Sequence, residues 1–157
     1  MKLFFFAILI LVSTNALAEG QIASLVNFES TAIRPDTQDG SSNVTSILNT
    51  TMEFTQPNNI SLYGGFSFVL GEDFESSVTV GGRFYNSSPA FQIFPGLPMW
   101  SFIGGGVSFF DSVVYYPEAG FRIATSDTAR LDIYIKILNS SSSVYDEHFM
   151  VGAGLTF

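Results

Sequence analysis

The run His148-Phe-Met-Val-Gly-Ala-Gly-Leu-Thr-Phe157 alternates without a break. Side chains of an extended strand point to opposite faces with period two. Phe149, Val151, Ala153, Leu155 and Phe157 therefore share one face, and His148, Met150, Gly152, Gly154 and Thr156 share the other. An apolar strand face ending on an aromatic residue, with nothing after it to cover it, is at home against lipid. The opposite face, small and polar apart from Met150, suits a narrow interior.

Working back from this strand, the same alternation recurs. Residues 130–138 set Leu131, Ile133, Ile135 and Ile137 against Arg130, Asp132, Tyr134 and Lys136. Residues 60–70 set Ile60, Leu62, Phe66, Phe68 and Leu70 against Ser61, Tyr63, Gly65 and Ser67. Residues 78–85 and 113–123 alternate in the same way, and 21–33, 44–54 and 99–110 are weaker strand candidates. With a final strand over 144–157 these make eight. Turn-forming residues separate them, as in Pro35 to Asn43, Gln56-Pro-Asn-Asn59, Gly71 to Ser76, Asn86 to Pro98 and Ser140 to Ser143. An even number of antiparallel strands of about 9–11 residues is what a membrane-spanning barrel requires. The expected fold is all-β, an eight-stranded antiparallel up-and-down transmembrane β-barrel. Connections near 34–43, 71–76, 111–112 and 140–143 belong to one end, and those near 55–59, 86–98 and 125–128 to the other.

The start of the chain supports export. Met1-Lys2, the apolar run Leu3 to Val12 and the small-residue site Ala16-Leu17-Ala18 read as a signal peptide over 1–18, leaving a barrel over 19–157. No later apolar run is long enough for a helical span. The chain has no Cys, so the exported domain holds together without disulfides. Its net charge of −8 argues against a nucleic-acid partner. Only 13% of its residues are charged, whereas a soluble surface wants about a quarter or more. A soluble lipocalin-type barrel or a β-sandwich would alternate equally well with its apolar set inward, so parity alone leaves both open.

Gly152, Leu155 and Phe157 resemble the C-terminal assembly signal of Gram-negative outer-membrane barrels, with Met150 standing where a polar residue usually opens it. Together with the strand count and length, the chain resembles the small OmpA-transmembrane/OmpX type of barrel. That resemblance implies a monomer in outer-membrane lipid and lipopolysaccharide, inserted by the barrel assembly machinery. It implies no cofactor and no particular activity, since such barrels include anchors, adhesins and a few lipid-modifying enzymes.

If the apolar set faces outward, Arg83, Arg122, Arg130 and Lys136 face inward with Glu29, Glu53, Glu118, Asp132, Asp146 and His148. Strand direction puts Glu53, Arg83, Arg122, Arg130 and Asp132 toward the end bearing Phe157, and Glu29, Lys136, Asp146 and His148 toward the other. Charges in so narrow a space must be paired or hydrated. The set forms either a salt-bridged, closed core or a narrow path for ions and small solutes. His148, the only His, offers a base for hydrolytic chemistry, but no nucleophile motif accompanies it. It reads as a hydrogen-bonded lumen residue near Glu29.

Glu72, Asp73 and Glu75 form an acidic knot in one connection, a weak candidate for a hard cation against the plainer reading of a solvated loop. Aromatics near strand ends suggest two interfacial girdles: Phe54, Phe84, Trp100 and Phe157 at one level, and Phe68, Phe109, Phe110, Tyr115 and Tyr116 at the other. The segment Phe91 to Trp100 is apolar, and Pro95 and Pro98 deny it a regular ladder. It is expected to lie at the lower interface.

Overall fold

The structure is a computed structural model that describes residues 20–34, 44–71, 74–94 and 96–157. The expected leader, Glu72 and Asp73 lie outside the described residues.

The strands are β1 (Gln21–Ile33), β2 (Ser46–Thr55), β3 (Ile60–Leu70), β4 (Glu75–Tyr85), β5 (Phe91–Phe94), β6 (Leu97–Phe109), β7 (Val113–Ala124), β8 (Arg130–Ser140) and β9 (His148–Thr156). Every pairing is antiparallel. β1 pairs with β2, β2 with β3, β3 with β4, β4 with β6, and β6 through β9 in sequence. The circuit closes where β9 returns to β1, from Leu25 opposite Thr156 to Ile33 opposite Phe149. The result is a closed, all-β, eight-stranded up-and-down barrel, and β5 stands outside the circuit, paired only with β6. Closure leaves no open sheet edge among the barrel strands. We call the end carrying Phe157 and the 56–59 and 125–129 turns the lower rim, and the opposite end the upper rim.

Parity is resolved on each of the eight barrel strands. Phe28 on β1, Met52 on β2, Phe66 on β3, Val80 on β4, Ile103 on β6, Tyr115 on β7, Ile135 on β8 and Val151 on β9 are all exposed. Their neighbours Glu29, Glu53, Ser67, Thr79, Lys136 and Met150 are buried. At mid-strand the charged and hydroxyl-bearing side chains turn inward and the large apolar ones outward.

An eight-stranded lumen is only just wide enough for side chains, so large inward residues need small ones opposite. Gly81 and Gly152 supply that room. A Cβ on Gly81 would come within 2.4 Å of the Tyr63 ring, and one on Gly152 within 2.5 Å of the Tyr134 ring. The glycine-rich polar faces are therefore seats for lumen tyrosines.

Two segments depart from the sequence-based expectation. The last strand begins at His148, not at residue 144. The amides of Tyr145 and Asp146 both donate to the Ser142 carbonyl, and Glu147 takes a left-handed φ of 56°, which ends any extended run there. The Phe91–Trp100 segment lacks a regular ladder, as its prolines suggest, but still pairs with itself. It is a hairpin in which Phe91 faces Met99 and Phe94 faces Leu97, turning at Gly96 with φ 87°. Pro98 is accommodated because the ladder is irregular between those pairs, so its missing N–H costs no regular bond.

Candidate functional site

The lumen holds three layers. In the lower half, Arg83 and Arg122 sit among Glu53, Glu118 and Asp132, all buried. Arg83 donates from Nε and Nη2 to the two Glu118 carboxylate oxygens at 2.8 and 3.0 Å, and from Nη1 to Asp132 Oδ2 at 2.8 Å. Arg122 donates from Nε and Nη2 to the two Asp132 oxygens, both at 2.7 Å. Its Nη1 lies 2.7 Å from Glu53 Oε2, and its Nη2 also reaches Thr156 Oγ1 at 3.1 Å. Two of these four guanidinium–carboxylate contacts, Arg83–Glu118 and Arg122–Asp132, are two-pronged, the strongest neutralising geometry available to these groups. β2 and β7 are diametrically opposed in the circuit, so the Glu53–Arg122 pair crosses the full width of the lumen.

Aromatic rings complete the lattice. The Arg83 guanidinium carbon lies 4.4 Å from the Phe102 ring centroid, and that of Arg122 4.7 Å from Tyr85. Tyr85 donates its hydroxyl to Glu53 at 2.8 Å and Tyr63 donates to Glu118 at 3.0 Å. No acidic group in this layer relies on a single contact.

In the middle layer Lys136 Nζ lies 2.5 Å from Glu29 Oε2 and 4.1 Å from the Tyr116 ring centroid. Glu29 Oε1 accepts from Asn49 at 2.8 Å and from the Tyr134 hydroxyl at 2.7 Å. A chain of hydroxyls extends from there around the wall: Ser67 donates to Asn49 Oδ1 at 2.5 Å, and Ser67, Thr79 and Ser108 follow at 2.5 and 2.6 Å. The residual space between these layers is about 10 Å³, lined by Asn27, Thr51, Tyr63 and Glu118 among others. That is about one water molecule.

The upper layer is apolar. Val44, Ile47, Val69, Phe110, Val114, Tyr116, Leu138, Tyr145 and Met150 form one buried cluster. The 141–147 turn folds inward and lays Tyr145 on Phe110, with ring centroids 5.0 Å apart and planes 13° from parallel. The Tyr145 hydroxyl donates to Glu75 Oε2, and Glu75 Oε1 accepts the Asp111 amide at 2.6 Å. Burial, reinforced by the Glu75 carboxylate, pushes the Tyr145 phenol above its ordinary pKa.

Several residues lie elsewhere than the sequence suggested. Phe110 and Tyr116 are inside the barrel, in the apolar layer, and take no part in an outer girdle; Phe109 and Tyr115 beside them are exposed. Arg130 is half-buried at the lower rim and makes no ion pair among the described residues, so it is outside the lattice. Its strand begins there, too low to reach the acids above. His148 is fully buried but not beside Glu29: Glu29 faces Gly152 in the ladder, and His148 lies further toward the upper rim. The His148 Nδ1 contacts the Asp146 carbonyl at 2.8 Å, and the Asp146 carboxylate accepts the Ser140 amide, so both residues shape the turn. Of the acidic knot, Glu75 is described, and its carboxylate is engaged by Tyr145 and Asp111.

The apolar cap went unread in the sequence because Val44, Phe110 and Tyr145 come from connections flanking strands, where period two carries no signal. The lower rim, by contrast, opens into a cavity of about 210 Å³ lined by Gln21, Thr55, Asn59, Tyr85, Asn86, Trp100, Arg122 and Arg130.

These features define a closed, ion-paired β-barrel with an apolar exterior. No family model matches the chain, and no curated protein matches it in sequence.

Proposed function

We propose that this chain is a monomeric outer-membrane β-barrel, exported by the leader over 1–18, with a structural or surface-interaction role and a lumen that does not conduct. The observation that carries this reading is the pairing of opposites across one wall. Exposed apolar side chains ring the outside, while Glu53–Arg122 spans the inside. A monomeric soluble protein leaves apolar patches of only a few hundred Å² exposed, whereas here they run along all eight barrel strands. Lipid accepts such a surface, and a barrel is the one sheet architecture that leaves no backbone group unsatisfied there.

The upper rim then faces outward, next to lipopolysaccharide, and the lower rim faces the periplasm. Leu155 and Phe157, both exposed on the last strand, are the residues the assembly machinery would read, with Gly152 supplying room for Tyr134 within. The filled lumen favours a closed barrel over a solute path, and no base–nucleophile pair accompanies His148 among the hydrogen bonds it makes.

The test is fractionation followed by gel migration with and without boiling in SDS, then conductance in a planar bilayer. The reading expects outer-membrane recovery, a heat-dependent shift and no unit conductance. Recovery as a soluble periplasmic protein, or reproducible conductance steps, would overturn its location or its closed lumen respectively.

A further inference from the structure

The lower cavity is a second feature of the lumen, distinct from the lattice above it. Its volume of about 210 Å³ is below that of drug-sized pockets, which start near 300 Å³, and suits a single small ring. Arg122 and Tyr85 form part of its floor, but both are committed to Glu53. Arg130 is not committed: it lines the cavity half-exposed and makes no ion pair among the described residues. In a chain of net charge −8, a concave site whose free charge is positive is out of keeping with its surroundings.

The rest of the lining is specific in kind. Trp100 offers a half-exposed indole face, and the carboxamides of Gln21, Asn59 and Asn86 make no side-chain hydrogen bond among the described residues. Asn59 is held in place by its backbone, which takes φ 64° to close the 56–59 turn while its carbonyl accepts the Tyr85 amide at 2.8 Å. Free carboxamides match ligand hydroxyls, which both donate and accept. An indole matches the apolar face of a ring, and one guanidinium matches one carboxylate in two-pronged geometry. The floor acids Glu53 and Asp132 lie behind Arg122, so a ligand with two or more negative charges would be repelled.

We propose that the lower mouth of the barrel binds an acidic saccharide carrying one carboxylate per ring, with Arg130 holding the carboxylate, Trp100 the ring face, and Gln21, Asn59 and Asn86 the hydroxyls. The site belongs to the barrel end itself and stands whether or not the barrel sits in lipid.

Trp100 is the only Trp in the chain, so its fluorescence reports on this cavity alone. The experiment titrates the folded full chain, in a detergent without a sugar headgroup, with glucuronate, glucose, acetate and diglycine. Glucuronate should give a saturable change, and glucose or acetate should bind at least about tenfold more weakly. Arg130→Gln should weaken glucuronate by about 10- to 100-fold, the loss expected for a charge-assisted contact. That variant removes none of the lattice ion pairs, and a β-sheet circular dichroism spectrum matching that of the parent verifies that it folds. Absence of a saturable glucuronate response overturns the site. Equal binding of acetate or diglycine overturns the saccharide assignment, and an unchanged Arg130→Gln response overturns the role of the guanidinium.

Discussion

Above the Glu29–Lys136 pair the lumen is filled by Val44, Val114, Leu138, Tyr145 and Met150; below it by Glu53, Arg83, Glu118, Arg122 and Asp132. Both fillings exclude solvent, but they answer damage differently. An apolar layer loses stability in proportion to the volume removed, because neighbours relax partly into the gap. An ion-paired layer fails stepwise, since deleting one partner leaves another charge buried and unpaired. The lower lattice also ties opposite walls together, whereas Tyr145 closes the upper end from a single turn. One barrel therefore contains a rigid cross-brace and a graded stopper.

The largest effect should come from Asp132→Ala. It removes the carboxylate shared by both arginines and should cost about 3–5 kcal/mol in urea unfolding from micelles. If the loss is under about 1 kcal/mol, the lattice does not brace the walls. Next is Leu138→Ala, buried in the upper layer, with an expected loss of about 2–4 kcal/mol by the same measurement. A milder Leu138→Val loss would sharpen the contrast, because the upper layer should respond in steps of volume. A double-mutant cycle of Glu53→Ala with Arg122→Ala should give a coupling energy of about 1–3 kcal/mol, with Glu53 and Arg122 no longer additive. Glu75→Gln, which weakens only the tie to Tyr145 and Asp111, should cost about 1 kcal/mol.

The smallest effect is a pH slope. Tyr145 has its folded pKa raised, so the phenol ionises first in the unfolded chain. The stability it contributes is complete below the ordinary tyrosine pKa of about 10 and falls as pH rises beyond it. Tyr145→Phe should flatten part of that alkaline slope; an unchanged slope would mean that Tyr145 is not seated in the mouth.

How much of this was legible in the sequence follows from where period two operates. Strands with clean alternation, such as Leu131 to Ile137 opposite Asp132 to Lys136, placed their side chains on the faces that the structure shows. Parity brought Glu29, Glu53, Arg83, Glu118, Arg122, Asp132 and Lys136 to one interior, but it carries no depth finer than strand direction. Arg130 and His148 share that parity yet lie at strand starts, beyond the lattice. Tyr116 reads as a girdle residue in the sequence because an aromatic at a strand end looks the same on either face until its ladder partner is known. The hairpin at Phe91–Phe94 is hidden in the sequence by the two prolines of this segment, although Pro98 falls where the ladder is irregular.

The central claim, that the apolar outside of the barrel is its lipid face, is tested most directly by a placed fluorophore. With Trp100→Phe as background, Ile135→Trp puts one indole at mid-strand on the exposed face of β8. Reconstituted into bilayers whose acyl chains carry bromine near their centre, that indole should be strongly quenched, and a Trp placed at Phe157 on the lower rim should be quenched much less. An Ile135→Trp emission that bromine leaves untouched, in a protein shown to be folded, would contradict the claim.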